Sequence, residues 1–560
     1  MPQTQEFLPI VLVRGFDPMA TSDETTYYGW NDGTVYPHKL GENFIYEGML
    51  VKFLKTGFLV PFKPGKKSED EREAETKGVR YEDATNAICY TSFKTTFAPV
   101  AIDHPSSRKL QKLLKEARGT DDLPVLDKEL GWLSGAATLD PGVASRFVNV
   151  PNSLWVYRFY DFKTRDLTEY ARQLARVIEM VKAVTRAPAV NLICHSMGGL
   201  IARYLIQRVY SSREEAEGNV NKLVTLGTPH RGIAFQGANM ALPAELEFFN
   251  EGFLRREFNL QNGDLGDVSS SFDPKRVLCV VGTNHHTYIS AVSTLNQLVS
   301  WLKGQEANHS DGLVKQESAL LTGAYRADVH KCHGGSDSLI TSREAFELAT
   351  RFFFGDTEVT IRVKKAKIHS RKEGLLEVVK GLVDGVPEYY LGFSLKPRDL
   401  DFYLHYQKEE SENCFGPFSK EEIDGQELVR DSYDPSKNGV VFEGFLHSAL
   451  GERKGGRNKG DLQNLVVRFD VYVAERDSFF VGHSDTKIVN AQSYFKIEAG
   501  DPPQILFIPD LGQNSTPIKA THSAVEGENG SLIHRYALSL DQEKYRQNVE
   551  LELEIDFRYR

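Results

Sequence analysis

The 560-residue sequence predicts an α/β protein in which helices cover a mostly parallel sheet. The sheet carries a large lid-like insertion, and a C-terminal β-sandwich-like domain follows it. Three observations lead there. Up to about residue 356, short apolar runs alternate with segments of helical period. Between the first two apolar runs lies far more chain than one crossover needs. After Gly355 the pattern changes to strict period-two alternation, the mark of half-buried antiparallel strands.

The elements follow in order. Leu8 to Val13 (LPIVLV) is a continuous apolar run ending at Arg14-Gly15, as a buried strand would. The insertion, about 17–152, holds an aromatic patch (Tyr27, Tyr28, Trp30), a charged run from Lys66 to Lys77 and a helical stretch from Ser107 to Ala117. A second strand, Leu154 to Tyr160, precedes a helix whose start has capping-box spacing at Asp166 and Glu169. That helix places Leu167, Tyr170, Leu174, Val177, Ile178 and Val181 on one face. Strand Val190 to Cys194, helix Met197 to Val209, strand Lys222 to Leu226 and strand Arg276 to Val281 come next. A helix from Arg343 to Phe354 starts at a Thr341/Glu344 box. The sequence thus divides into 1–356 and 357–560. In the second part Glu358 to Val363, Leu465 to Val473 and Val549 to Tyr559 alternate apolar with polar residues.

Composition narrows the function. A formal charge of −10 offers no basic surplus for phosphates, so a nucleic-acid partner is not expected. With 41% hydrophobic and 26% charged residues the chain reads as globular. No run approaches the roughly 20 apolar residues of a membrane span. The first residues have no basic segment ahead of an apolar one, so a cytoplasmic location is expected. Cys89, Cys194, Cys279, Cys332 and Cys414 are scattered and read as free thiols. His285-His286 has no second cluster at ligand spacing, so no metal or cofactor is expected.

The chemistry centres on Val190-Asn-Leu-Ile-Cys-His-Ser-Met-Gly-Gly-Leu, a strand that turns through Ser196 into a helix. At such a turn a serine hydroxyl stands clear of the sheet edge, at the positive end of the following helix. The Met197 N–H then points to where a carbonyl oxygen becomes an oxyanion. The usual pattern is G-x-S-x-G, and Cys194 takes the place of its first glycine. Serine alone is a weak nucleophile and needs a base, an orienting acid and a second oxyanion donor.

Over its first 355 residues or so the sequence resembles the lipase/esterase-type α/β-hydrolases, which are serine hydrolases. Pro9-Ile-Val-Leu-Val-Arg-Gly-Phe16 is similar to the family's strand and "HGF" segment, with Arg14 where the family has histidine. The match implies the Phe16 N–H as the other oxyanion donor. Val224 to Gly232 (VTLGTPHRG) is similar to a strand-end signature of many lipases and acyl-ester enzymes. His309 to Leu320 (HSDGLVKQESAL) resembles the bacterial lipase segment whose aspartate is the triad acid, which implies Asp311; Asp328 and Asp337 compete. The base lies in Val329 to Gly335, ahead of the final helix. His333, followed by Gly334 and Gly335, is expected on a flexible exposed loop, and His330 is the alternative. The order Ser196, Asp311, His333 is that of the α/β-hydrolases.

The resemblance implies hydrolysis of a carboxylic ester through an acyl-enzyme, on an acyl-ester or lipid substrate, with transient contact to a lipid surface. A phospholipase or acyltransferase on the same core is the alternative within the class, and an inactive scaffold the alternative outside it. Ala241 to Leu260, rich in Leu and Phe, serves either as lid or acyl-binding wall, or as plain core. The C-terminal β domain carries no motif, and oligomeric state is not legible.

Overall fold

The structure is a computed structural model of the chain. It describes residues 8–13, 15, 49, 53, 154–157, 166–233, 249–286, 309–334, 337–369, 388–398, 400–410, 413–424, 434–446, 465–479, 482–498, 500, 502–509, 516–527, 530–545 and 547–559. The insertion at 17–152 lies outside them apart from Met49 and Phe53, both buried. Arg14, Phe16, Cys89 and the residues 241–248 also lie outside.

Six strands form one parallel sheet: β1 (Ile10–Val13), β2 (Leu154–Tyr157), β3 (Val190–His195), β4 (Val220–Leu226), β5 (Val277–Gly282) and β6 (Tyr325–Val329). Their spatial order is β2-β1-β3-β4-β5-β6, and every neighbouring pair is parallel. All residues of β1, β3 and β5 are buried, as expected of strands covered on both faces. The order runs from β1 outward in both directions. That reversal opens a crevice at the carboxyl ends of β1 and β3, where such sheets bind ligands.

Four helices matter to the site: α1 (Leu167–Thr185), α2 (Met197–Tyr204), α3 (Glu251–Glu257) and α4 (Arg343–Phe354). The apolar stripe of α1 is buried in the core. Its Asp166 caps the Thr168 N–H at 2.8 Å, while Glu169 bonds Gln173 instead of closing a box. The helix expected at 197–209 changes to a π turn at Leu205–Val209. At α4 the capping residue is Ser342, not Thr341: the Ser342 hydroxyl accepts from the Ala345 N–H at 3.0 Å. The Thr341 hydroxyl is held one turn earlier, against the backbone of Ser338. In the described part of the 241–260 stretch, Phe249, Leu254 and Phe258 are buried in the core.

Twelve further strands follow among the described residues: β7 (Thr357–Ile368), β8 (Glu388–Pro397), β9 (His405–Tyr406), β10 (Phe415–Phe418), β11 (Val440–Leu446), β12 (Val466–Phe479), β13 (Gly482–Glu498), β14 (Gln504–Ile508), β15 (Ile518–Lys519), β16 (Thr521–Glu526), β17 (Leu532–Leu540) and β18 (Val549–Tyr559). They make two antiparallel sheets, ordered β10-β8-β12-β13-β14-β15, with β9 on β8, and β11-β7-β18-β17-β16. In β18 the side chains of Val549, Leu551, Leu553, Ile555 and Phe557 are buried and alternate with more exposed acidic ones. Ile361, Phe442, Ile555 and Phe557 of one sheet and Leu395, Val467 and Phe495 of the other line one apolar space, so the sheets face each other. The period-two pattern anticipates this architecture. The expected strands at 358–363 and 465–473 run longer, to Ile368 and Phe479.

Candidate active site

The site grows out of the β3–α2 turn. Ser196 ends the strand and begins the helix with φ 52° and ψ −124°, a conformation that side-chain-bearing residues rarely adopt. Its N–H donates to the Leu226 carbonyl on β4 at 3.0 Å, so the neighbouring strand pins the turn. The Met197 N–H sits at the start of α2, where helix N–H groups lack intrahelical partners. That is the geometry an oxyanion donor needs. Phe16, the other expected donor, lies outside the described residues, although Gly15 beside it is buried against the turn.

The Ser196 Oγ lies 2.9 Å from His333 Nε2, and His333 Nδ1 lies 2.8 Å from Asp311 Oδ2. All three side chains are buried. A carboxylate accepts, so His333 Nδ1 carries a proton and donates to Asp311, leaving Nε2 to accept from the serine hydroxyl. The structure therefore brings Ser196, Asp311 and His333 into one hydrogen-bonded line.

Asp311 is fixed by its own turn. Oδ1 accepts the N–H groups of Leu313 at 3.0 Å and Val314 at 2.7 Å, which leaves Oδ2 for the imidazole. The His333 N–H donates to the Asp311 carbonyl at 2.9 Å. Gly227, at φ +54°, makes room for this pair: a Cβ there would stand 2.7 Å from Asp311 Oδ2 and 3.2 Å from His333 Nδ1.

His333 does not lie on an exposed loop, as the glycines after it suggest. Cys332 N–H donates to the Asp337 carbonyl at 3.1 Å and Leu339 N–H to the Cys332 carbonyl at 2.9 Å, which closes the segment and holds His333 in the interior. His330 points elsewhere. Its Nδ1 is 3.3 Å from Thr283 Oγ1 and its ring meets Tyr406 edge-on. Burial, with Lys408 adding, pushes its pKa down to about 4. The competing carboxylates are engaged as well. Asp328 takes three bonds from Arg326, and Asp337 pairs with Lys331 at 2.7 Å.

One residue of the site escapes motif reasoning. His195, the last residue of β3, directs Nε2 to the His333 carbonyl at 2.9 Å. The signal was a polar side chain ending a largely apolar strand, which no spacing rule interprets. His230 of the TPHRG segment is buried, 3.3 Å from Thr225 Oγ1, and its carbonyl accepts from Arg203 at 2.8 Å. It shapes the end of β4 and does not join the line at Ser196. His285 and His286 stack on each other with ring centres 3.7 Å apart. Among the described residues no group of three or more His, Cys, Asp or Glu side chains could hold a metal. The four described cysteines, Cys194, Cys279, Cys332 and Cys414, are buried.

Comparison with known proteins bears on the part of the chain around Ser196. The model of the palmitoyl protein thioesterase family matches residues 141–257, about a fifth of the chain and the part that contains the Ser196 turn. A search of curated proteins returns no match. Among solved structures, the product of the lin2722 gene of Listeria innocua is 14% identical, over 36% of this chain and 72% of that one, with a TM-score of 0.22. A Lactobacillus plantarum WCFS1 protein described as a cell surface hydrolase is 12% identical, over 44% and 84%, with a TM-score of 0.20. The parallel sheet and the strained serine between β3 and α2 are those of an α/β-hydrolase fold, and the family match falls on that turn.

Proposed function

We propose that the protein hydrolyses acyl esters and thioesters through a covalent acyl-enzyme on Ser196. The observation that carries this is the buried line from Ser196 Oγ through His333 to Asp311 Oδ2, with contacts of 2.9 and 2.8 Å. In this reading His333 removes the Ser196 proton as Oγ attacks the acyl carbonyl carbon. Asp311 holds the imidazole tautomer and stabilises the imidazolium. The carbonyl oxygen becomes an oxyanion held by the Met197 N–H and, by the resemblance, the Phe16 N–H. One such donor is worth roughly 10²–10³ in rate where measured. His333 then protonates the departing alkoxide or thiolate. Water, activated by the same histidine, releases the carboxylic acid and regenerates Ser196.

The thioester enters from the family match around the nucleophile, and the lipid acyl group from the lipase-like motifs. The Ser, His and Asp geometry weighs against a non-catalytic scaffold. A series of p-nitrophenyl esters and acyl-CoA or acyl-cysteamine thioesters tests the reading, with phospholipid and alcohol acceptors as controls. Turnover of acyl substrates that disappears in Ser196→Ala is expected. Turnover that survives in Ser196→Ala would refute the mechanism.

A further inference from the structure

His195 touches two of the elements that assemble the site. On one side its Nε2 is 2.9 Å from the His333 carbonyl oxygen, and the two rings lie 4.9 Å apart, centre to centre. A carbonyl only accepts, so Nε2 carries the hydrogen and donates. On the other side lies the end of β1: a Cβ on Gly15 would stand 2.6 Å from His195 Nδ1 and 2.9 Å from Ser196 Cβ. The ring is thus wedged between the β1 end and the base loop, and it is bonded through the backbone to Ser196 itself.

We propose that His195 is a positioning residue that ties the His333 loop to the nucleophile strand by donating to the His333 carbonyl. The inference rests on the reading of Ser196 and His333 as nucleophile and base. The His333 imidazole reaches Ser196 from a segment 137 residues away in sequence. Its angle of approach depends on where the backbone of that segment is held. One hydrogen bond to the carbonyl of the base residue, from the residue adjacent to the nucleophile, fixes that distance directly. Burial, and then the charge His333 would carry, hold the His195 imidazole well below its ordinary pKa, so it stays a neutral single donor. A neutral ring also spares the imidazolium on His333 a second positive charge nearby.

The test uses the full chain and two variants. His195→Phe keeps an aromatic ring and removes the donor; His195→Gln keeps an N–H at a similar reach. kcat and KM for p-nitrophenyl butyrate are measured together with the rate of fluorophosphonate labelling of Ser196. The expected result for His195→Phe is a loss of roughly tenfold or more in kcat and labelling rate, with KM little changed, as for a sub-ångström misplacement of a base. His195→Gln is expected to recover most of the loss. A His195→Phe variant with wild-type kcat overturns the inference, and so does a folded His195→Gln variant as impaired as one with no donor. If His195→Phe does not fold, a His195→Gln variant near wild-type kcat supports the donor role. Wild-type protein that neither turns over ester nor labels at Ser196 removes the underlying reading, and the inference with it. Active wild-type protein indifferent to both substitutions overturns the inference alone.

Discussion

Ser196 is held at φ 52° by its hydrogen bond to Leu226 and by the helix that starts behind it, a strain of order 1–3 kcal/mol that the surrounding fold absorbs. The proposed nucleophile was legible because its pattern is local: a buried strand, a serine at the turn and an apolar helix are neighbours in sequence. The proposed acid and base depend on tertiary register, so sequence alone left His330 open beside His333. The structure separates them, since His330 bonds Thr283 and only His333 meets Ser196. Gly227 and His195 stayed illegible because their roles exist only where segments distant in sequence touch. Gly227 supports a sharp prediction at this scale. Gly227→Ala adds a Cβ that meets Asp311 Oδ2 at 2.7 Å and forces a side chain onto a φ of +54°. The expected outcome is a fall in kcat/KM of roughly a hundredfold or more, the scale of a 1 Å misplacement at a catalytic group. Steady-state kinetics on the purified variant check it, and unchanged kinetics would mean that the Asp311 carboxylate has more freedom than the close approach allows.

Secondary elements were legible wherever period and burial agree. The β1 and β5 runs are continuous and apolar, β3 is largely so apart from Asn191 and His195, and the structure buries every one of their residues. The β18 alternation matches its burial residue by residue. Element ends were less legible, because caps are decided by which hydroxyl is free. At α4 the pattern T-S-R-E offers both Thr341 and Ser342, and Thr341 is already bonded to Ser338, so Ser342 takes the cap. Ser342→Ala is therefore expected to lower unfolding stability by about 1 kcal/mol, the usual worth of an N-cap. Urea unfolding followed by circular dichroism measures it. A loss well under half that value would return the cap to Thr341.

At the scale of the molecule, the C-terminal sheets pack on the edge of the parallel sheet next to the base. Tyr325 on β6 stacks edge-on with Phe445 on β11, their ring centres 4.9 Å apart, and its hydroxyl donates to Glu358 on β7 at 2.8 Å. The Asp328 N–H, also on β6, faces His405 Nδ1 of β9 at 3.4 Å. Strand β6 leads within four residues to His333, so the antiparallel sheets brace the strand from which the base emerges. Composition foretold two textures of chain, and the seam between them was beyond it, since no periodicity encodes which edge a second sheet covers. In the proposed mechanism the serine, histidine and aspartate so held act in acyl transfer to Ser196. The most direct test is reaction of the full chain with a fluorophosphonate and mapping of the adduct by mass spectrometry. The account predicts a single adduct on Ser196, lost in Ser196→Ala and slowed strongly in His333→Ala. An unlabelled chain, or an adduct on another residue, would contradict it.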